Sequence, residues 1–182
     1  MIARIGEDFG DGVANQAADR LERSLVRLYN EPLEFDCPLF YDDDVARAHG
    51  YRGIIAPYSG LAAWTSVGVW NYGDDPVYIS AERNFQPHPR TSVLPRNLPI
   101  AFNAGFGTEI EYEYHEPFVV GDWLSIRGKV LVSVTPRQTR VGRGAFTVWQ
   151  SEVTNQAGNH IATSRLGLYL YVVGEFATSQ ES

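Results

Sequence analysis

Cysteine is nearly absent from this chain of 182 residues: Cys37 is the only one, so no internal disulfide can form. Basic residues are also scarce, with 15 Lys and Arg against 22 Asp and Glu, and the formal net charge is −7. Nucleic acids bind clustered Lys and Arg, so this balance argues against such a partner. No apolar run reaches transmembrane length, and the N-terminus lacks the apolar segment of a secretion signal. The sequence therefore predicts a soluble cytoplasmic protein without a membrane partner.

Hydrophobic residues make up 44% of the chain, which is enough to bury a core. We expect one domain over residues 1–182. A first, amphipathic helix is predicted to end at Asn30-Glu31-Pro32, and its apolar residues are Val13, Ala17, Leu21, Leu25 and Leu28. A second helix is predicted over 42–49, with acidic residues at its N-terminus and Gly50 after its C-terminus.

A third predicted helix, long and apolar, runs from residue 58 to residue 70 without a charged side chain. A helix without a polar face must be surrounded by protein, so we expect it at the centre of the fold. Residues 71–103 are rich in Gly, Pro, Asp and Asn, and they predict a long excursion of the kind that forms lids or binding segments. Residues 175–182 are predicted to be a flexible tail.

In the C-terminal half, apolar and polar side chains alternate, which predicts four antiparallel strands. The four segments are 109–114, 124–134, 146–148 and 166–172. Turns are predicted at Pro117–Asp122, at Thr135-Pro136-Arg137 and at residues 155–159. An antiparallel sheet preceded by one apolar helix predicts an α+β fold in which the sheet wraps around that helix.

Three segments, in order along the chain, resemble the MaoC-like hydratase and dehydratase family. Active members carry Asp-x-Asn-Pro-x-His-x-Asp, then an Ala, a Gly and an Ile-Ala pair that opens a buried helix. The residues that match are Pro38, Asp42, Ala46, Gly50, Ile55 and Ala56. Residues 115–122 resemble the Pro-hydrophobic-x-Val-Gly-Asp turn of hot-dog hydratases, and residues 154–164 resemble their last hairpin. The long excursion is most similar to the N-terminal, fatty-acid-synthase-like dehydratase subgroup.

The resemblance implies a single hot-dog domain and reversible hydration of a 2-enoyl thioester of coenzyme A or acyl carrier protein, without a further cofactor. It also implies that the proton-transfer pair is missing. Phe35 stands at the family's Asp position, Cys37 at its Asn position and Phe40 at its His position. No catalytic residue is therefore expected there. The resemblance still implies a substrate-binding helix start, with backbone N–H groups facing the thioester carbonyl, at Pro57, Tyr58, Ser59, Gly60 and Trp64.

A few other side chains are alternative acids or bases. Asp36 is one residue from the family's Asp position, but a shift of one residue in a strand turns the side chain to the opposite face. His88 lies between two prolines, and His115 is next to Glu116 and precedes a turn. A surface histidine and a structural histidine are the plainer explanations. The run 42–44 is explained by charge at a helix N-terminus, so no metal site is predicted.

Three functions follow from these features. The first is a subunit of a heteromeric enoyl-thioester hydratase or dehydratase, paired with a second hot-dog chain that carries the intact Asp and His. The second is a homodimeric binding module for an acyl chain, a polyketide intermediate or another apolar ligand. The third is a different lyase or thioesterase that uses a replaced site. None of these specifies the acyl group.

Overall fold

A five-stranded antiparallel sheet, in the order β1-β3-β4-β5-β2, is the main element of the computed structural model, which describes residues 1–10, 12–78 and 98–173. The strands are β1 Asn15–Gln16, β2 Ala104–Tyr114, β3 Ser125–Thr139, β4 Gly142–Thr154 and β5 His160–Val172. The α-helices are α1 Arg23–Asn30, α2 Asp43–Ala48 and α3 Leu61–Trp64. Short 3₁₀ turns are found at Ile2–Arg4, Glu31–Leu33, Pro38–Phe40 and Tyr58–Gly60.

The four strands predicted from alternation are confirmed as β2 to β5, and all are longer than predicted. The turn predicted at Thr135-Pro136-Arg137 is wrong: these residues continue β3, and the hairpin reverses at residues 140 and 141. Proline is tolerated there because the other side of β3 is paired only between residues 125 and 131 among the described residues. At that point β3 is an edge strand, so the sheet loses no hydrogen bond because Pro136 lacks an N–H.

The predicted N-terminal helix is also wrong in its bounds. Ala17 N donates to Leu124 O at 2.9 Å and Leu21 N to Asp122 O at 2.8 Å, so this segment runs along the sheet. α1 begins only at Arg23, and it buries Val26 and Asn30 while Leu25 and Leu28 stay exposed. Hydrogen bonding to the sheet has therefore overridden the helical spacing of the apolar residues.

The second helix agrees with its prediction. The Asp42 carboxylate accepts hydrogen bonds from the backbone N–H of Asp44 and Val45, which caps α2. Gly50 follows the helix with φ +88°, a conformation in which glycine carries no Cβ penalty. His49 Nδ1 lies 2.8 Å from Val45 O, at the helix C-terminus. The acidic run at residues 42–44 is thus a helix start.

The predicted long central helix is much shorter than expected, because α3 ends at Trp64 instead of continuing to Trp70. Thr65 Oγ1 donates to Leu61 O at 2.9 Å and Ser66 Oγ donates to Ala62 O at 3.0 Å. Side-chain hydrogen bonds of this kind, to backbone oxygens four residues earlier, destabilise a helix slightly. The valines and the glycine that follow have low helix propensity, so the helix does not continue. Ala18 N then bonds Ser66 O, and this ties the chain to the N-terminal segment.

Two buried clusters hold the sheet together. One surrounds α3 and contains Leu61, Trp64, Phe118, Leu124 and Ile161. The other lies further along the sheet and contains Leu131, Trp149, Leu168 and Leu170. Residues 79–97 of the predicted excursion and the predicted tail 175–182 lie outside the described residues. Within the described residues, no helix has the length and apolar character needed to cross a bilayer.

Replacement of Asn30 by leucine is expected to stabilise the protein. Asn30 is fully buried, and neither polar atom of its side chain has a hydrogen-bond partner among the described residues. An unmatched buried polar group costs about 1–3 kcal/mol, and leucine has a similar shape without that cost. Chemical denaturation should therefore show a higher unfolding free energy for Asn30→Leu. The exposed Asn71→Leu serves as the control, and a lower stability of Asn30→Leu would contradict the prediction.

Candidate functional site

The predicted substrate-binding segment forms a tight turn at the end of a short backbone pairing. Ala56 N donates to Phe118 O at 3.2 Å and Val120 N donates to Ile54 O at 2.9 Å. Pro57 leaves this pairing and the chain enters the 3₁₀ turn Tyr58–Gly60, which continues directly into α3. The chain that leads into the predicted turn and the family-like segment 115–122 are therefore in contact and hold each other in place.

Trp64 supports this turn from behind. Its ring nitrogen donates to Pro57 O at 3.0 Å, and only 3% of the residue is exposed. Gly60 packs on the ring so closely that an added Cβ would lie 2.4 Å from it. Gly60 is thus required for close approach, and Trp64 shapes the turn from the buried side. A direct contact of Trp64 with substrate stays a prediction.

Three tyrosines fix the exposed side of the turn. The Tyr58 ring stacks on Tyr114 at 4.6 Å, and the Tyr114 hydroxyl donates to Tyr58 O at 2.7 Å. The Tyr29 hydroxyl, on α1, donates to Ser59 Oγ at 3.1 Å. Burial raises the pKa of Tyr58 and of Tyr114, so both phenols are neutral at physiological pH and can donate hydrogen bonds.

Two backbone N–H groups of the turn are available to a ligand. Gly60 N donates to Pro57 O, and Leu61 N donates to Tyr58 O, so these two are used within the turn. The N–H groups of Tyr58 and Ser59 have no acceptor among the described residues. Both residues are exposed. Adjacent N–H groups of this kind can stabilise an oxygen on which negative charge develops.

The expected proton-transfer positions are filled by aromatic rings. Phe35 and Phe40 lie with ring centroids 6.1 Å apart, and Phe40 packs against the cluster around α3. The Tyr41 hydroxyl donates to the backbone oxygen of Phe35 at 2.6 Å, which fixes this segment. Neither ring can take up or release a proton, so these positions contribute shape and not acid–base chemistry.

An open cavity of about 380 Å³ lies between α3 and the inner face of the sheet. Its α3 side is formed by Ala62, Thr65 and Ser66, and its sheet side includes Ile110, Tyr112, Ile126, Trp149 and Leu166. The early end of α3 leaves this part of the sheet uncovered. The sequence missed the cavity, although the valines and glycine at 67–69 were a signal for a short helix. A larger cavity, about 530 Å³, lies elsewhere, and neither cavity is lined by residues 57–60 of the turn.

The alternative acids and bases are dispersed. Asp36 is exposed and makes no ion pair among the described residues, and His88 lies outside them. His115 is exposed at the end of β2, where its Nε2 lies 3.1 Å from Thr163 Oγ1 and its ring lies 4.3 Å from that of His160. The described part of the chain has no group of three His, Cys, Asp or Glu side chains placed to hold a metal ion. No contact joins Asp36 to His115.

Comparison with known proteins gives consistent results. A probable enoyl-CoA hydratase alpha subunit of Thermomonospora curvata is 26% identical over 170 residues, which are 91% of this chain and 49% of that protein. A 3-oxo-4,17-pregnadiene-20-carboxyl-CoA hydratase alpha subunit of Mycobacterium tuberculosis is 27% identical over 142 residues, or 74% of this chain and 41% of that one. The chain thus spans about half the length of the curated relatives it matches.

Solved structures agree on the fold. The ChsH1–ChsH2 complex from Mycobacterium tuberculosis matches with a TM-score of 0.59 at 21% identity, with 89% of each chain covered. Solved MaoC-like dehydratases also match, and the fold is a single hot-dog domain. The family described as the FAS1-like, dehydratase domain region matches residues 5–164, almost the whole described chain. The fold is thus shared with solved MaoC-like dehydratases, and this chain belongs to the family described as the FAS1-like, dehydratase domain region.

Proposed function

We propose that this chain is the subunit of a heteromeric enoyl-thioester hydratase that binds the thioester without transferring protons. One observation carries the proposal. Phe35 and Phe40 stand at both positions where the family resemblance places proton transfer, while the turn Tyr58–Gly60, which leads into α3, keeps two N–H groups without an acceptor among the described residues. These two positions therefore carry no acid or base, whereas the turn carries oriented hydrogen-bond donors.

Hydration of a 2-enoyl thioester has three requirements. A base activates water for attack on the β-carbon, an acid protonates the α-carbon, and donors stabilise the enolate oxygen that forms on the carbonyl. In this proposal the N–H groups of Tyr58 and Ser59 supply the donors. A second hot-dog chain supplies the acid and the base from its intact Asp and His.

The relatives support a role within a larger assembly. Both curated relatives are named as alpha subunits, and one matched structure is a complex of two named components. An unpaired edge strand is also present, since β2 pairs with β5 on one side and with no described strand on the other. A second hot-dog chain can extend the sheet at that edge.

The cavity favours a bulky acyl group. Its volume of about 380 Å³ lies within the range of about 300–1,000 Å³ that is typical of pockets for drug-sized ligands. The sheet contributes the apolar residues Ile110, Trp149 and Leu166 to its lining, together with polar residues that include Ser151 and Ser164. One relative is named for a hydratase of a polycyclic acyl-CoA. We therefore propose a polycyclic or similarly bulky enoyl thioester as the substrate class.

The test is turnover of enoyl-CoA substrates by this chain alone, by a hot-dog partner with the complete signature alone, and by the two together. We expect hydration only in the mixture, with a larger kcat/KM for a polycyclic enoyl-CoA than for a four-carbon one. The partner alone is the control for activity that does not need this chain.

Full activity of the purified single chain would overturn the proposal, and Asp36 and His115 would then be the residues to substitute. Binding of an acyl thioester without turnover in any mixture would instead support the homodimeric binding module. A thermal shift assay with a non-hydratable saturated acyl-CoA distinguishes loss of binding from loss of chemistry.

A further inference from the structure

We infer that β2 carries an acidic row that selects a partner strand with basic side chains and disfavours pairing with a second copy of this chain. The inference rests on the proposed function, because it specifies the chemistry of the partner chain that the function requires. It concerns the three carboxylates Glu109, Glu111 and Glu113, which we call the acidic row.

The two edges of the sheet differ. At the β3 edge, Gly6 N donates to Leu131 O, Phe9 N donates to Lys129 O and Asp8 bridges to Val130, so the N-terminal segment covers the first half of that edge. Phe9 also packs edge-on against Trp149 at 5.5 Å. At the other edge, no described strand pairs with the free side of the eleven-residue β2. An edge of this length is open to another chain.

The acidic row lies along one face of that open edge. Glu111 and Glu113 share one cation, Arg165, at 3.4 Å each, and their side chains are 67% and 54% exposed. Glu109 folds over Gly167, where an added Cβ would lie 2.7 Å from its Cγ, and it forms no ion pair among the described residues. Three carboxylates thus face one guanidinium, which leaves a surplus of negative charge.

This surplus opposes self-pairing. If all of β2 pairs antiparallel with β2 of a second copy, Glu109 is the central residue. Glu109 of one copy then lies opposite Glu109 of the other, and each Glu111 lies diagonal to the other copy's Glu109. Like charges directly opposite each other in a sheet are destabilising. A shift by one residue would place Ile110 and Tyr112 of the second copy on the face opposite to those of the first, so the inner faces of the two sheets would no longer continue each other.

The occupant that fits is a strand with Lys or Arg at alternate positions on the same face. Such a strand would pair its cations with the acidic row, and its apolar residues would continue the inner face beside Ile110 and Tyr112. Charge complementarity across an interface mainly selects the partner and speeds the encounter. The pairing should therefore weaken as salt is raised, because exposed charges are screened.

The experiment uses a charge-reversed form of this same chain as the probe. The triple variant Glu109→Lys, Glu111→Lys, Glu113→Lys is mixed with the natural chain, and association is measured by analytical ultracentrifugation at low and high salt. We expect a mixed dimer at least about tenfold tighter than either self-association, weakened by salt. Amide hydrogen exchange of β2 should slow in the mixture only.

A matched triple variant, Asp19→Lys, Glu22→Lys, Glu34→Lys, carries the same charge change on exposed residues outside β2, and it should not pair with the natural chain. Circular dichroism checks that each variant is folded. If the Lys variant does not fold, Glu109→Gln, Glu111→Gln, Glu113→Gln replaces it and should self-associate more than the natural chain.

Two results would overturn the inference. One is a natural chain that dimerises through β2 at low salt as tightly as the mixture, and the other is a mixture that stays monomeric while both chains are folded. Neither result depends on enzyme activity. Failure of this inference is therefore distinct from failure of the proposed function, which the turnover experiment tests separately.

Discussion

In the proposed two-chain enzyme, loss of the histidine from the partner's signature is expected to lower turnover by about 10²–10⁴-fold, the usual contribution of one general acid or base. Phe40→Leu in this chain, at the corresponding position, is expected to change turnover by less than about tenfold. The difference follows from chemistry: the histidine moves a proton in the transition state, whereas the Phe40 ring only packs against the cluster around α3.

The measurement is kcat and kcat/KM of the reconstituted pair with an enoyl-CoA substrate, for the natural pair and for each single variant. Phe40→Leu keeps an apolar side chain at this position, so the variant is expected to fold. An effect of Phe40→Leu as large as that of the partner's histidine would contradict the assignment of proton transfer to the partner. Equal binding of a saturated acyl-CoA by all pairs would show that only the chemical step has changed.

Asp122→Ala is expected to lower the free energy of unfolding by about 3 kcal/mol, because it removes a buried carboxylate that orders several groups. Asp122 is 1% exposed and accepts from Val119 N at 2.9 Å and from Arg52 Nη2 at 2.8 Å. Gln156 Nε2 lies 3.4 Å from its other oxygen. Alanine would leave the Val119 N–H buried without its acceptor.

The residues around Asp122 connect the stability of the fold to the turn at residues 57–60. Val119 and its neighbours pair with residues 54–56, which lead into the turn at Pro57. The hydrogen bond from Arg52 to the Asp122 carboxylate raises the pKa of that guanidinium. Loss of Asp122 should therefore loosen the turn at residues 57–60 as well as the fold.

Urea denaturation of Asp122→Ala and of two controls checks this prediction. Arg52→Ala should cost less, about 1 kcal/mol, because the Arg52 side chain is 53% exposed and water replaces much of what it loses. The exposed Asp19→Ala should be near neutral. An Asp122→Ala protein as stable as Asp19→Ala would show that the buried carboxylate does not stabilise the turn.

The strands and the family turn could be predicted from local pattern. Alternation over 109–114 and 124–134 marks strands because successive side chains in a strand point to opposite faces. The turn around Gly121 and Asp122 and the cap at Asp42 are equally local, since each depends on residues only a few positions apart. These features were confirmed because nothing distant in the chain competes with them.

The helices were harder because distant contacts decide them. The apolar spacing of Val13 to Leu28 favours a helix, but residues 17 and 21 instead bond to the sheet more than 100 positions away. Residues 58–70 have no polar face, yet the hydroxyls of Thr65 and Ser66 and the bond from Ala18 end α3 after Trp64. Pro136 in β3 is explained only by the place of that segment at a sheet edge.

By itself the sequence determined that positions 35 and 40 carry no acid or base, since the phenylalanines there cannot ionise in any conformation. It also determined the family and the position of the Pro57 turn. Only the tertiary structure decided that α3 is short, that a cavity lies beneath it, and that the acidic row stands on an edge with no described neighbour, opposite one that the N-terminal segment covers in part. The physical reason is that side-chain chemistry is carried by each residue alone, whereas volume, burial and strand pairing depend on segments far apart in the chain.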